Sequence, residues 1–260
     1  MAKNLSERRT SSSTLSWAAA SHAGKVREQN EDAFLVEPEL GLLLVSDGMG
    51  GHRGGALASK IIVDDLPPVI ENRLDALRSR SRRAVRRMLK QVIAEQSRQL
   101  LVEGTSESGY KDMGATVVVA LIVNERIYVA NLGDSRVYRF RNGRLSQLTK
   151  DHSVISELLE QGHIGPEDVE KHDAQGQITH YIGMEEDASP HVRSFLSQKG
   201  DRLLLCTDGL TDLVNDRAIA RILRGTHDCQ AACDALVKAA NSAGGTDNAT
   251  VVIADLLGLA

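Results

Sequence analysis

Four aspartates stand where apolar, strand-like segments end or begin. Asp47, Asp134 and Asp208 each follow such a segment directly, and Asp247 stands just before the last one, at Thr250–Ala254. A single Asp-Gly pair is typical of a plain turn. Because neighbouring strand ends lie close together, the repeated pattern favours convergence, and like charges converge stably only around a cation. Carboxylates, a backbone carbonyl and water suit hard ions such as Mg²⁺ or Mn²⁺.

A glycine-rich segment, residues 47–55, begins at the first of these aspartates. A dinucleotide-binding fingerprint requires a glycine where Arg53 stands, and the sequence contains no G-x-x-x-x-G-K-[ST] phosphate-binding loop. The small residues beside Asp47 instead let backbone and substrate approach a metal closely.

Two kinds of segment must position these side chains. Strand-like segments occur at Ala33–Val36, Gly41–Val45, Ala115–Val123, Arg126–Asn131, Arg136–Arg141, His191–Phe195, Arg202–Cys206 and Thr250–Ala254. Helical periodicity occurs at Gly55–Leu66, Leu74–Glu103, Val154–Gln161, Asp216–Leu223 and Cys229–Ser242. The Asn142-Gly143 pair predicts a hairpin. Strands in blocks and helices in pairs predict an α+β fold, with antiparallel sheets and helices packed outside them.

Composition excludes several classes of protein. The chain has 260 residues, and its net charge of −4 gives no general attraction to nucleic acid. Its longest apolar stretch, Ala115–Val123, is too short for a membrane helix. Three cysteines, an odd number, fit a reducing compartment, so we expect a cytoplasmic protein. Cys229 and Cys233 are expected to be buried core residues rather than metal ligands.

The chain is expected to form one domain. Residues 1–14 are polar and lack the apolar region of a secretory signal, so they predict a disordered tail. No repeat of 20–50 residues interrupts the remainder.

A dense run of basic residues has two interpretations. It comprises Arg78, Arg80, Arg82, Arg83, Arg86, Arg87 and Lys90. The plainer interpretation is the solvated face of a long helix, which we favour; the alternative is a docking face for an acidic or phosphorylated partner.

Seven motifs, in order along the chain, together resemble those of metal-dependent PPM-type (type 2C) protein serine/threonine phosphatases of the bacterial branch. The motifs are Arg27–Asp32, Asp47–His52, Met113–Thr116, Gly133–Arg136, Leu148–His152, Cys206–Gly209 and Gly245–Thr250. The resemblance covers residues 15–256. It implies a two-sheet antiparallel β-sandwich flanked by helices, with two Mn²⁺ or Mg²⁺ ions at one end and a variable flap at about 151–190.

The resemblance also implies the ligands of these ions. Asp47 matches the aspartate that bridges the two metals, and the Gly48 carbonyl completes the shell of one of them. Asp208 and Asp247 match the other metal-binding aspartates. Asp134 matches a position tied to a third, weaker metal.

Three further residues match positions beside the metals. Arg27 corresponds to the arginine that holds phosphate, and its alternative role is a surface ion pair. Glu31 and Asp32 correspond to acidic residues that order metal-bound water, and they could equally hold a turn together.

His52 is a candidate proton donor. A serine alkoxide is a poor leaving group, and His52 is the only histidine close in sequence to an expected metal ligand. The alternative is that His52 caps the helix beginning near Gly55 or is solvated. His22 and His180 depart from the family pattern, in which Asp and Arg often stand at these two positions.

The resemblance implies an enzyme that hydrolyses phosphoserine and phosphothreonine on proteins, by attack of a water bridging two Mn²⁺ or Mg²⁺ ions. We expect phosphorylated substrates, a cognate bacterial Ser/Thr kinase and a monomeric enzyme, with no nucleic acid or membrane partner. One alternative is a pseudophosphatase, which the complete set of aspartates disfavours. Another is a phosphatase dedicated to one regulatory phosphoprotein and fused to a sensor, which the absence of a sensor-sized extension disfavours.

Overall fold

A computed structural model describes residues 5–12 (backbone only), 15–49, 54–106, 113–165, 167–169, 172–186 and 188–258. Its strands form two antiparallel sheets that pack face to face. Sheet 1 runs β1 (Leu5–Ser12), β2 (Leu15–His22), β12 (Ala249–Leu256), β11 (Arg202–Cys206), β8 (Arg136–Arg141) and β9 (Arg144–Gln147). Sheet 2 runs β10 (His191–Leu196), β7 (Arg126–Leu132), β6 (Val117–Val123), β4 (Leu42–Met49) and β3 (Asp32–Glu37), with β5 (Gly114–Ala115) paired to β4.

Helices cover the outer face of each sheet. On sheet 2 they are α1 (Gly54–Asp75) and α2 (Arg82–Ser106), and on sheet 1 they are α4 (Asp208–Thr211), α5 (Asp216–Gly225) and α6 (Cys229–Ser242). A further short helix, α3 (Val154–Glu160), lies in the segment after β9. The layer between α1, α2 and sheet 2 is filled by residues such as Ile62, Leu89 and Val119. Leu43 and Leu205 are buried between the two sheets. The predicted α+β sandwich with external helices is therefore confirmed.

Every predicted strand is present, and the hairpin between β8 and β9 is confirmed. Asn142 and Gly143 have φ values of 51° and 75°, the left-handed pair that a two-residue hairpin of this type requires. Strands β2 and β9 are additional. Residue propensities do not predict the alanine-rich strand β2, because alanine favours helices. Ala18 and Ala19 are nevertheless buried in this strand.

Two helix boundaries differ from the prediction. The first helix passes through Pro67 and Pro68 to Asp75, because Ile70 and Leu74 continue its buried face. The predicted single helix Leu74–Glu103 is wrong. A break after Asp75 precedes α2, which begins at Arg82.

The amino-terminal prediction also needs correction. Residues 5–12 form β1 rather than a disordered tail, with Leu5 opposite Ser21 and Ser12 opposite Leu15. Strand pairing uses backbone groups and so does not require apolar side chains.

The three cysteines are free and buried, and Cys233 donates to the Ala18 carbonyl at 3.4 Å, in keeping with core positions. Within the described part of the chain, no helix combines the length and apolarity needed to cross a membrane.

Candidate active site

The acidic residues at one end of the sandwich come from both sheets. Asp32 begins β3 and lies opposite Asp47, near the end of β4, in sheet 2. Asp208 begins α4 directly after β11, and Asp247 lies just before β12, so both come from sheet 1. The strand ends of both sheets thus bring together the carboxylates of these four residues, Asp32, Asp47, Asp208 and Asp247.

Asp47 and Asp208 are in direct contact. Their partly buried carboxyl groups lie within hydrogen-bond reach of each other. Burial raises the pKa of Asp47 well above its ordinary value, and the charges of Asp32 and Asp208 raise it further. Burial also raises the pKa of Asp208. Such a cluster of ionised groups is costly unless a cation neutralises it.

Asp32 connects the two sheets beneath this contact. The Thr207 hydroxyl donates to Asp32 Oδ2 at 3.0 Å, and Thr207 Oγ1 accepts from the Thr250 backbone N–H at 3.0 Å. Burial raises the pKa of Asp32 to about 7, although hydrogen bonds with Thr250 and Thr207 lower it. Asp32 is therefore a partly buried member of the cluster that links the two sheets.

The unpaired acceptors fit a bound cation. Among the described residues, the Oδ1 atoms of Asp32, Asp134 and Asp208 are buried and have no hydrogen-bond partner. A carboxylate oxygen can only accept, so metal coordination is one way to satisfy it. No three His, Cys, Asp or Glu side chains in the described ranges already surround one metal position.

Glycines allow the backbone segments of the site to approach closely. A Cβ at Gly48 would overlap the Gly55 carbonyl oxygen and lie 2.7 Å from that of Glu31. A Cβ at Gly209 would overlap the carbonyl oxygen of Asn248. Gly48 also donates its N–H to the Glu31 carbonyl at 3.2 Å. These contacts fix the end of β4, the start of α1 and the segment before β3 against one another.

Arg27 lies at the opening of the site. Its Nη2 donates to Asp247 Oδ2 at 2.7 Å, and the two side chains are 57% and 37% exposed. This hydrogen bond raises the pKa of the arginine. A cavity of about 480 Å³ adjoins the pair. Its lining includes Arg27, Glu31, Asp47, Gly48, Asp208 and Asp247.

Glu31 also organises the backbone around it. Its carbonyl accepts from Gly48, as described above, and from the Ser59 hydroxyl at 2.5 Å. Its carboxylate lies against Gly55, near the start of α1. The structure therefore supports the turn-holding role for Glu31, alongside its position on the cavity wall.

Asn248 is a structural residue that the sequence argument did not single out. Its Nδ2 donates to the carbonyls of Ala23 at 3.0 Å and Gln29 at 2.9 Å, and its Oδ1 accepts from the Glu31 N–H at 2.8 Å. Asn248 directly follows Asp247, so these bonds hold the segment that carries Arg27 next to Asp247. In the sequence, the feature that could have indicated its importance is its position next to the expected metal ligand Asp247.

Asp134 lies in a second cavity of about 540 Å³, which Asp208 also lines. Burial raises the pKa of Asp134 well above its ordinary value, and the charges of Asp208 and Asp151 raise it further. Asp212, which the sequence argument also missed, lines this cavity, and burial raises its pKa to about 6. Asp151 forms a salt bridge with Arg136, in which Nη2 of the arginine lies 2.7 Å from Oδ2 of the aspartate.

Three histidines of the sequence analysis have different positions. His52 lies outside the described residues. His180 packs against His152, with ring centroids 5.1 Å apart. His22 accepts from the Gly24 N–H at 2.9 Å through its Nδ1 atom.

Comparison with known proteins identifies relatives along most of the chain. The serine/threonine phosphatase stp of Listeria welshimeri is 34% identical over 235 residues, which are 89% of this chain and 92% of that protein. The crystal structure of Stp1 from Staphylococcus aureus has a TM-score of 0.84 and 31% identity, and the match covers 97% of this chain and 99% of Stp1.

A second solved structure contains metal. It is the catalytic domain of the serine/threonine protein phosphatase PstP in complex with two manganese ions. The similarity has a TM-score of 0.80 at 30% identity and covers 94% of this chain and 99% of that one. The family model described as protein phosphatase 2C matches residues 20–241. Sequence motifs, sandwich and carboxylate cluster agree with that match, and the chain belongs to the protein phosphatase 2C family.

Proposed function

We propose that this protein hydrolyses phosphoserine and phosphothreonine esters on other proteins. The observation that carries the proposal is the cluster of carboxylates from both sheets facing a cavity with Arg27 at its opening. The similarity to relatives named serine/threonine phosphatases supports the same activity.

Asp47, Asp208, Asp247 and the Gly48 carbonyl are the proposed ligands of two Mn²⁺ or Mg²⁺ ions, and Asp134 contributes to a third, weaker site. The PstP structure with two manganese ions supports the number and kind of the ions. When bound, such ions would act as Lewis acids that lower the pKa of a coordinated water and neutralise phosphate oxygens. The buried, unpartnered oxygens of Asp134 and Asp208 suit this role.

The remaining residues position the substrate. Arg27 is exposed enough to meet a phosphate dianion, and its planar guanidinium can donate two parallel hydrogen bonds. Asn248 and Glu31 hold the segment of Arg27 in place. Asp32 and Glu31 are proposed to orient water within the site, and His52 to protonate the leaving oxygen. The segment at about 151–190, proposed as a flap, contributes Gly176 to both cavities.

Phosphate release from a phosphothreonine peptide tests the function. We expect turnover with added Mn²⁺ or Mg²⁺, loss of turnover in excess chelator and recovery when metal is restored. A pseudophosphatase would bind the peptide and release nothing under all three conditions. Full turnover after exhaustive metal removal would contradict the ligand assignment.

The cellular setting is also a proposal. We place the enzyme in the cytoplasm as a monomer that reverses a cognate bacterial Ser/Thr kinase. Its three free, buried cysteines suit a reducing compartment.

A further inference from the structure

Basic residues of α2, of the edge strand β10 and of the loop after β9 lie around the same edge of sheet 2, near His191. We define the basic strip as Arg82 and Arg86 of α2, Arg193 of β10 and Lys150 in the loop after β9. The three arginines are exposed, and Lys150 is 42% exposed. Residues 78–90 contain seven Lys and Arg and no Asp or Glu, in a chain whose net charge is −4.

Direct contacts fix the course of the strip along β10. Arg86 donates from Nε and Nη2 to the Val192 carbonyl, at 3.1 and 2.8 Å. Arg82 lies one turn earlier on α2. Burial raises the pKa of Tyr128 while the charges of Arg126 and Arg82 lower it, and Tyr128 pairs with Ser194 across the sheet. The helix therefore runs along β10 toward its first residue, His191.

The strip then reaches the active site. His191 pairs with Asn131 across the sheet, and Asn131 Nδ2 donates to the Lys150 carbonyl at 2.7 Å. Lys150 and Arg193 line the second cavity together with Asp134 and Asp208. A chain segment leaving the metal ligands through this cavity would meet Lys150 and Arg193 first and the α2 arginines next.

Most of this positive charge is not neutralised within the protein. Among the described residues, Arg82, Arg86 and Arg193 form no ion pair, and Lys150 pairs with Glu160 at 2.5 Å. The pKa of His191 is lowered, by burial first and then by the charges of Arg193, Lys150 and Arg86, while Glu160 acts in the opposite direction. The strip thus surrounds His191 with positive potential.

We propose that the basic strip binds acidic residues flanking the phosphorylated residue of a substrate protein, so that the enzyme prefers phosphoproteins with acidic flanks. This inference rests on the proposed phosphatase function and deepens it. Charge complementarity across such a surface increases the association rate and the specificity of binding.

The same features disfavour nucleic acid as the occupant. The strip ends in a cavity lined by aspartates, which would repel a phosphate backbone that carries a charge at every unit, whereas a peptide needs acidic residues only where it crosses the strip. Residues 78–90 contain no aromatic side chain on which a base could stack. A short acidic peptide needs only the exposed guanidinium groups.

Binding by the metal-loaded protein tests the strip without turnover. Two fluorescent peptides carry a non-hydrolysable phosphonate in place of phosphothreonine, one with two aspartates on each flank and the other with asparagines. We expect the acidic peptide to bind at least about fivefold more tightly at low salt, the worth of a few exposed ion pairs. This preference should disappear near 0.5 M salt.

The variant Arg82→Gln/Arg193→Gln should bring the ratio of the two affinities close to one. Arg217→Gln/Arg221→Gln is the matched control, because both arginines are exposed on α5, which packs against sheet 1 and α6. This control should keep the wild-type ratio. Equal affinities in the wild type, an unchanged ratio in the strip variant or equal loss in the control would each overturn the proposal.

Turnover separates the strip from the proposed function. The matching phosphothreonine peptides should show the same preference in kcat/KM. Preferential binding without phosphate release would retain the strip and reject the phosphatase, whereas release without preference would reject the strip alone. Tight binding of a single-stranded oligonucleotide at 0.15 M salt, lost in the strip variant, would assign the surface to nucleic acid and overturn the proposal.

Discussion

Asp208 is the residue on which both halves of the site depend. It contacts Asp47 and lines the two cavities, so its charge acts on every proposed metal position. Asp208→Asn should lower turnover of a phosphothreonine peptide by at least about a hundredfold, comparable to the loss of one key electrostatic group. Asp234→Asn, at an exposed position on α6, is the control and should leave turnover unchanged. A folded Asp208→Asn protein with near-normal turnover would remove Asp208 from the ligands.

His152, near the start of the proposed flap, is expected to make the stability of the fold sensitive to acid. Burial, and then the charge of His180, lower its pKa to about 4, while the unfolded chain retains a value near 6.5. Because the unfolded state binds the proton more readily, His152 contributes stability above about pH 6.5 that is lost as the pH falls toward 4. His152→Gln should therefore lose less stability than the wild type between pH 7 and pH 5.

Urea unfolding of chelated protein at the two pH values measures this difference. His163→Gln, at an exposed histidine near α3, is the control and should behave as the wild type does. If His152→Gln and the wild type lose the same stability on acidification, His152 is not the source of the stability loss between pH 7 and pH 5.

At the scale of elements, the close approach of β4, α1 and the segment before β3 depends on Gly48. An alanine there would force its Cβ into the Gly55 carbonyl, so the elements must separate. Gly48→Ala should reduce the free energy of unfolding by about 2 kcal/mol or more and weaken turnover as well. Denaturant unfolding, with metal chelated, gives the first quantity.

Gly225→Ala is the matched control for Gly48→Ala. Gly225 ends α5, and a Cβ there would meet no atom within 4 Å. Alanine at this position should leave stability unchanged or increase it by about 0.5 kcal/mol. Equal stability of the two variants would show that the approach at Gly48 is not tight.

The elements that sequence predicts and those that it misses differ in a physical way. Val117–Val123 of β6 and the Asn142-Gly143 turn carry strong local signals, and both are present. The strand β2 is set by its neighbours β1 and β12, since its alanines alone favour a helix. The aspartates could be predicted because each adjoins a strand, whereas Asn248 acts only through contacts with residues far away in sequence.

At the scale of the whole molecule, metal binding should stabilise the fold. Ions held by the native carboxylates and not by the unfolded chain add about 2.7 kcal/mol at a hundred times the dissociation constant. For a chain of this size we expect Mn²⁺ to raise Tm by about 5–10 °C. Differential scanning calorimetry with and without chelator measures the shift, which should be much smaller in Asp208→Asn. A Tm that does not respond to Mn²⁺ in the wild type would contradict the proposed site.

The position of β12 in sheet 1 has a consequence for how the protein is made. This strand follows Asp247 and lies between β2, from the beginning of the chain, and β11. On the ribosome, β2 can pair with β1 early but lacks its second partner until β12 has emerged, while the locally paired strands β6 and β7 can also form early. The nascent chain can complete its carboxylate cluster only at that point. Cotranslational intermediates therefore lack the active site, which forms after nearly all of the domain has been synthesised.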